Sequence, residues 1–278
     1  MSELACMIRN DATFAEYAEW DAVNQSRLKL IEVSPKHYQA NARAESHAFN
    51  VGMSVHTAVL EPEQYPLEYV IYPGKTRRGK EWDAFKAANS DKEIVKENEY
   101  QHHLEISRAV RNDPVAGPLL TDGKPEVSIL WETAHGYDCK ARIDWLKRDC
   151  IVDLKTAASV NPSDFERAAY RYGYHTQASW YRHAVYVATG ALLRFKIIVV
   201  EKTPPFDVAV YSLSDELLFE GEKRIAKSLA ILHECMETDT WPGVSQGKEL
   251  KLELPAWANI NSDEFVDSLI IAGEEVSL

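Results

Sequence analysis

Two β-prone segments joined by three polar residues constrain this 278-residue chain more than any other feature. Residues 139–146 alternate well enough for a strand. Lys147-Arg148-Asp149 makes a tight polar turn, and residues 150–155 form the next strand. A connection that short leaves the two strands antiparallel and adjacent. The β-prone segment 126–131 precedes them, with Gly136 marking the turn between. The spacing predicts a three-stranded antiparallel meander.

Helical signals surround this meander. Ser34-Pro35 supplies a cap and a first-turn proline. A second helix is expected over 46–60, stopped at Glu61-Pro62 because proline cannot continue it. Residues 69–73 read as a short strand closed by Pro-Gly. Residues 80–111 are charged and periodic, which suggests one or two exposed helices. After the meander come a helical stretch over 162–189, strands over 194–200 and 208–211, and a long amphipathic helix over 216–237. The tail after Pro242 carries weak signals and no expected role. The fold class is α/β, a mixed central sheet flanked by helices with an N-terminal helical extension. Apolar residues make up 45% of the chain, enough for the core of one large domain spanning 1–278.

The strongly apolar run Ile197-Ile198-Val199-Val200 is far too short to span a bilayer, so no membrane association is expected. Met1-Ser2-Glu3-Leu4 lacks the order of a signal peptide, and a cytoplasmic location is expected. Cys6, Cys139, Cys150 and Cys235 are scattered with no CxxC pair, against a zinc or iron–sulfur site. The net charge of −12 argues at first sight against a nucleic-acid partner. Acids that hold cations would be neutralised, however, and total charge does not describe a local patch. Residues 75–80, Lys-Thr-Arg-Arg-Gly-Lys, are either such a basic patch or a solvated loop.

Chemistry concentrates on the meander. Asp144 and Asp153 fall on neighbouring strands, and Lys155 shares the strand face of Asp153 at i+2. Two close carboxylates repel unless a hard divalent cation relieves them, and Mg²⁺ takes one or two carboxylates plus waters and phosphates. Standing alone, a D-x-K triplet reads more readily as a structural salt bridge.

The wider sequence changes that balance. The string from Cys139 to Asp144, followed by Ile151-Val152-Asp153-Leu154-Lys155-Thr156-Ala157, resembles the catalytic strands of RecE-type phage exonucleases, in the RecB-type branch of the PD-(D/E)XK superfamily. Gly173-Tyr174-His175-Thr176-Gln177-Ala178-Ser179-Trp180-Tyr181 resembles that branch's Q-x-x-x-Y signature. Residues 52–62 resemble its G-x-x-x-H-x-x-x-L-E-P helix. The similarity covers about 34–211, with the blocks in family order. Asp153 stands where many members have Glu, and both ligate Mg²⁺.

The resemblance implies the restriction-endonuclease-like fold and a set of roles. His56, Asp144, Asp153 and the Leu154 carbonyl would hold Mg²⁺, with Mn²⁺ an alternative. Lys155 would act on the attacking water or the transition-state charge. Gln177 would orient Lys155 or a phosphate, and Tyr181 would contact the DNA backbone. Glu126 is either a further carboxylate of the metal site or an exposed strand-end acid. Arg142 is either a phosphate contact or a salt bridge. The implied activity is exonucleolytic hydrolysis of linear double-stranded DNA from 5′ ends, leaving 3′ single strands for recombination. Implied partners are DNA ends, a single-strand annealing protein and a ring-shaped homo-oligomer, encoded by a phage or prophage. A repair or restriction endonuclease on the same core, and a non-catalytic DNA-binding or assembly module, are the competing readings.

Overall fold

The structure, a computed structural model, describes residues 6–40, 47–254, 268–271 and 274–277. The expected helix start at Ser46 and the first four residues lie outside these. The chain divides into two compact units, Met1–Trp241 and Pro242–Leu278.

The first unit begins with β1 (Cys6–Arg9), α1 (Phe14–Glu19), α2 (Gln25–Val33), α3 (Pro35–Ala40) and α4 (His47–Leu60). Next come α5 (Tyr65–Glu68), β2 (Tyr69–Tyr72), α6 (Lys80–Ala88), β3 (Glu93–Lys96), α7 (Glu97–Asn112) and α8 (Ala116–Leu119). The meander follows as β4 (Gly123–Glu132), β5 (Asp138–Lys147) and β6 (Cys150–Ala157). Then come α9 (Pro162–Tyr172), α10 (Tyr174–Thr189), β7 (Arg194–Glu201), β8 (Val208–Ser212) and α11 (Asp215–Thr238). In the second unit, β9 (Ser268–Ile271) and β10 (Glu274–Ser277) pair antiparallel.

The central sheet runs β1-β4-β5-β6-β7-β8. Every neighbouring pair is antiparallel except β6 and β7. That parallel pair needs a long crossover, and α9 and α10 supply it. The expected mixed sheet and meander are both present. Two expectations change in detail. The helical stretch over 162–189 is two helices broken at Gly173, whose φ of +74° suits a residue without a Cβ. The region 80–111 holds two helices separated by β3, which pairs in parallel with β2.

Alternation along β7 sorts the core into two layers. Phe195, Ile197 and Val199 face a core shared with Leu28 and Ile31 of α2, Ala178 and Trp180 of α10, and Leu218 and Leu232 of α11. Ile198 and Val200 face a second core with Val55 and Val59 of α4, Ile106 and Val110 of α7, and Ala116 of α8. The helices bearing the resemblance motifs, α4 and α10, therefore lie on opposite faces of the sheet. Buried Lys140 of β5 ties α1 to this frame. Its ammonium donates to the carbonyls of Tyr17 (2.8 Å) and Trp20 (2.6 Å) at the end of that helix. No helix among the described residues is long and apolar enough to cross a membrane.

Close packing of α11 on α10 fixes the depth of α10. A Cβ added at Gly221 would lie 2.4 Å from the His175 carbonyl oxygen and 2.5 Å from Ser179 Oγ. Gly221→Ala should therefore cost about 1–3 kcal/mol of stability. Urea denaturation measures this, and an unchanged midpoint would contradict the contact.

Candidate metal centre

Three acids occupy one row across the meander. Pro125 pairs with Trp145 and Val127 with Ile143, so Glu126 stands opposite Asp144. Trp145 pairs with Val152, so Asp144 stands opposite Asp153. The ladder opens at this row. Glu126 has φ +51°, a left-handed conformation that is strained for a non-glycine residue inside a strand. On the other side, the Leu154 N–H donates to Asp144 Oδ2 at 2.8 Å, so a carboxylate takes the backbone donor. The sheet splays between β5 and β6, and side chains from both helical layers reach the gap.

From α4, His56 Nδ1 comes to 3.6 Å from Asp144 Oδ2. The ring also hydrogen-bonds the Leu154 main chain. That bond favours the charged ring. Burial, and then the Lys155 charge, push the His56 pKa down to about 4. At neutral pH the ring is uncharged and keeps a lone pair for a metal. One ligand atom from each of His56, Glu126 and Asp144 lies within 4.8 Å of the others.

Asp153 is 1% exposed, and its Oδ2 meets Lys155 Nζ at 2.6 Å. Its Oδ1 has no hydrogen-bond donor among the described residues. All three carboxyls are pushed up. For Glu126 burial and the Asp144 charge lift the value to about 8. For Asp144 burial is the cause. For Asp153 burial leads, and the Asp144 charge adds to it. Lys155 is held above its ordinary value by Asp153 and Asp144, which outweigh its burial. A row of buried acids short of cationic partners, with one neutral imidazole beside it, suits a hard divalent cation.

From the opposite layer, Gln177 Nε2 donates to the Tyr181 hydroxyl at 3.0 Å. Burial, together with the charges of Asp144 and Asp153, holds the Tyr181 phenol protonated well above its usual range. Tyr181 packs against the core rather than standing on the surface. Arg142 donates from Nε to Glu126 Oε2 (2.7 Å) and from Nη1 to the Ala12 carbonyl and Ser128 Oγ, both at 2.8 Å. Its geometry is that of the salt bridge. Glu126 is not an exposed strand-end acid but part of the cluster.

Tyr174 escaped the sequence reading. Its ring lies 5.1 Å from Lys155 Nζ, a cation–π contact that steadies the ammonium. The signal was available, because Tyr174 stands one helical turn before Gln177 on the face that carries Tyr181.

Comparison with known proteins identifies the family and the fold. A family described as a PDDEXK-like domain of unknown function matches residues 24–251. A crystal structure from Eubacterium rectale, named as that of a candidate exonuclease, superposes with a TM-score of 0.62 at 18% identity, covering 88% of this chain and 96% of that one. At that identity the likeness shows the fold. The structure of SSO0001 aligns loosely, with a TM-score of 0.33 at 12% identity over 77% of each chain, and carries no argument. None of the curated proteins matches the chain. With the family model spanning most of the sequence and the same fold in a solved structure, the chain belongs to the PDDEXK-like domain family.

Proposed function

We propose that this protein is a metal-dependent deoxyribonuclease, an exonuclease acting on linear double-stranded DNA. The observation that carries the proposal is the gathering of His56, Glu126 and Asp144 beside the Asp153–Lys155 pair. Family membership and a solved neighbour named as a candidate exonuclease support it. The finer reading is degradation from 5′ ends to leave 3′ strands for recombination. It includes Mg²⁺ (or Mn²⁺) as the ion, a ring-shaped oligomer, and a single-strand annealing protein as partner, in the bacterial cytoplasm of a phage or prophage host. It rests on the motif resemblance.

His56, Glu126, Asp144, Asp153 and the Leu154 carbonyl would hold the ion. When bound, it would lower the pKa of a water and polarise the scissile phosphate. Asp153 holds Lys155 at the edge of the cluster, where the ammonium can orient the attacking water or offset charge growing on the phosphate. Tyr174 keeps that ammonium in place from below. Tyr181, protonated and bound by Gln177, feels the charges of Asp144 and Asp153, and its assignment as a DNA-backbone contact rests on the motif resemblance alone. Arg142 hydrogen-bonds Glu126 and fixes the position of its carboxyl group.

Digestion of linear and covalently closed duplex DNA with Mg²⁺ tests the reading. Linear DNA should be consumed and closed circles spared. Asp153→Ala and Lys155→Ala should each lower the rate by at least about a hundredfold. Cutting of closed circles would favour an endonuclease on the same site. No cutting with Mg²⁺ or Mn²⁺ would overturn the catalytic reading.

The raised carboxyls give a second prediction, with a defined sign. Glu126 is protonated in the metal-free fold up to about pH 8 but ionises near its ordinary value when unfolded. The native state thus binds more protons across that window, and the metal-free protein loses stability as pH rises through it. A cation must displace those protons, so its affinity should increase from pH 6.5 to 8.5. Calorimetric titration with Mn²⁺ should show proton release and tightening with pH. Affinity independent of pH would contradict the account of the cluster.

A further inference from the structure

A cavity of about 400 Å³ is lined by Ala58, Tyr65, Pro66, Tyr69, Tyr100 and Leu104, among others. Its volume falls in the range of small-molecule sites. Three tyrosines dominate it. Tyr65 stacks on Tyr69 with ring centroids 4.5 Å apart, and Tyr100 tilts against Tyr65 at 5.6 Å. Tyr65 is anchored from behind, with its hydroxyl and His103 Nδ1 at 2.8 Å. Tyr69 and Tyr100 remain partly exposed and offer ring surface to the cavity.

The cavity and the metal centre draw on the same helix, α4. Ala58 sits two residues beyond His56 on α4, and Tyr69 hydrogen-bonds Thr57, the residue after His56. Glu126 is among the charges that act on the Tyr69 hydroxyl. The basic loop follows the cavity-lining strand in sequence. β2, which carries Tyr69 and Ile71, runs directly into residues 75–80. Arg77 docks that loop on Glu99 (2.6 Å), the neighbour of Tyr100. Lys75, Arg78 and Lys80 are exposed and in no ion pair among the described residues.

We propose that this cavity is a subsite for an unpaired nucleobase of the strand being cut, adjacent to the scissile phosphate. The proposal rests on the nuclease reading. Charge decides which part of a nucleotide enters. Glu61 and Glu68, next in sequence to the lining residues Pro62 and Tyr69, repel phosphates. A neutral base fits against the tyrosine rings, while flanking phosphates lie at the metal centre on one side and at Lys75, Arg78 and Lys80 on the other. A base inside a duplex has both faces covered by its neighbours, so the occupant must be unstacked. The subsite therefore selects a frayed or single-stranded end.

The test is binding of a short single-stranded oligonucleotide carrying 2-aminopurine, with Ca²⁺ replacing Mg²⁺ to prevent cleavage. Wild-type protein should quench the 2-aminopurine fluorescence. Tyr69→Leu and Tyr100→Leu should each weaken binding by about fivefold to a hundredfold and abolish the quenching. Tyr69→Phe, which keeps the ring and loses only the Thr57 bond, should bind as wild type. Thermal melts confirm that each variant is folded. In cleavage assays the leucine variants should raise KM more than they lower kcat. If folded leucine variants bind and quench like wild type while DNA is still cut, the subsite is overturned and the nuclease reading stands. If wild-type protein neither binds nor cuts DNA, both fall.

Discussion

Mutual repulsion among Glu126, Asp144 and Asp153 is the constraint on which the rest of the site depends. Their strand register places three acids in one row, mostly out of water. The layers above and below are built mainly of apolar side chains. The fold answers with local devices: Arg142 on Glu126, Lys155 on Asp153, and the Leu154 N–H on Asp144. Those devices leave the carboxyls still raised, which is the condition of a site built for an added positive charge.

The splayed ladder is the structural counterpart of that electrostatic problem. A regular sheet would spend the Leu154 N–H on a strand neighbour and keep Glu126 extended. Here the Leu154 donor turns to a carboxylate and Glu126 adopts a left-handed φ. The resulting gap admits His56 from one layer and exposes Lys155 to Tyr174 from the other. Strain of order 1–3 kcal/mol at a residue such as Glu126 persists only where the surroundings hold it, and Arg142 does so.

Much of this was legible in the sequence because it is local. A three-residue polar turn fixes β5 beside β6, and period-two alternation puts Asp153 and Lys155 on one face. Glu61-Pro62 ends α4 soon after His56. What escaped depended on contacts distant in sequence or on unmarked backbone conformations. β1 is a four-residue edge strand, three of whose residues are exposed, so it shows no alternation. β3 is equally short and draws its partner from β2. Gly173 is tolerated inside a helical pattern, and only its positive φ shows that α9 and α10 are separate. Glu126 carries no sequence mark of its φ, and the salt-bridge role of Arg142 emerges only when β1, β4 and β5 lie side by side.

The net charge of −12 includes the acids of the metal centre. A bound cation would offset that row. Anomalous X-ray scattering from crystals grown with Mn²⁺ tests whether this row is a divalent-metal site. An anomalous peak is expected, bounded by His56, Glu126, Asp144, Asp153 and the Leu154 carbonyl. Loss of that peak on Asp144→Asn substitution should follow. Well-ordered crystals with Mn²⁺ bound elsewhere and none at this cluster would contradict that expectation.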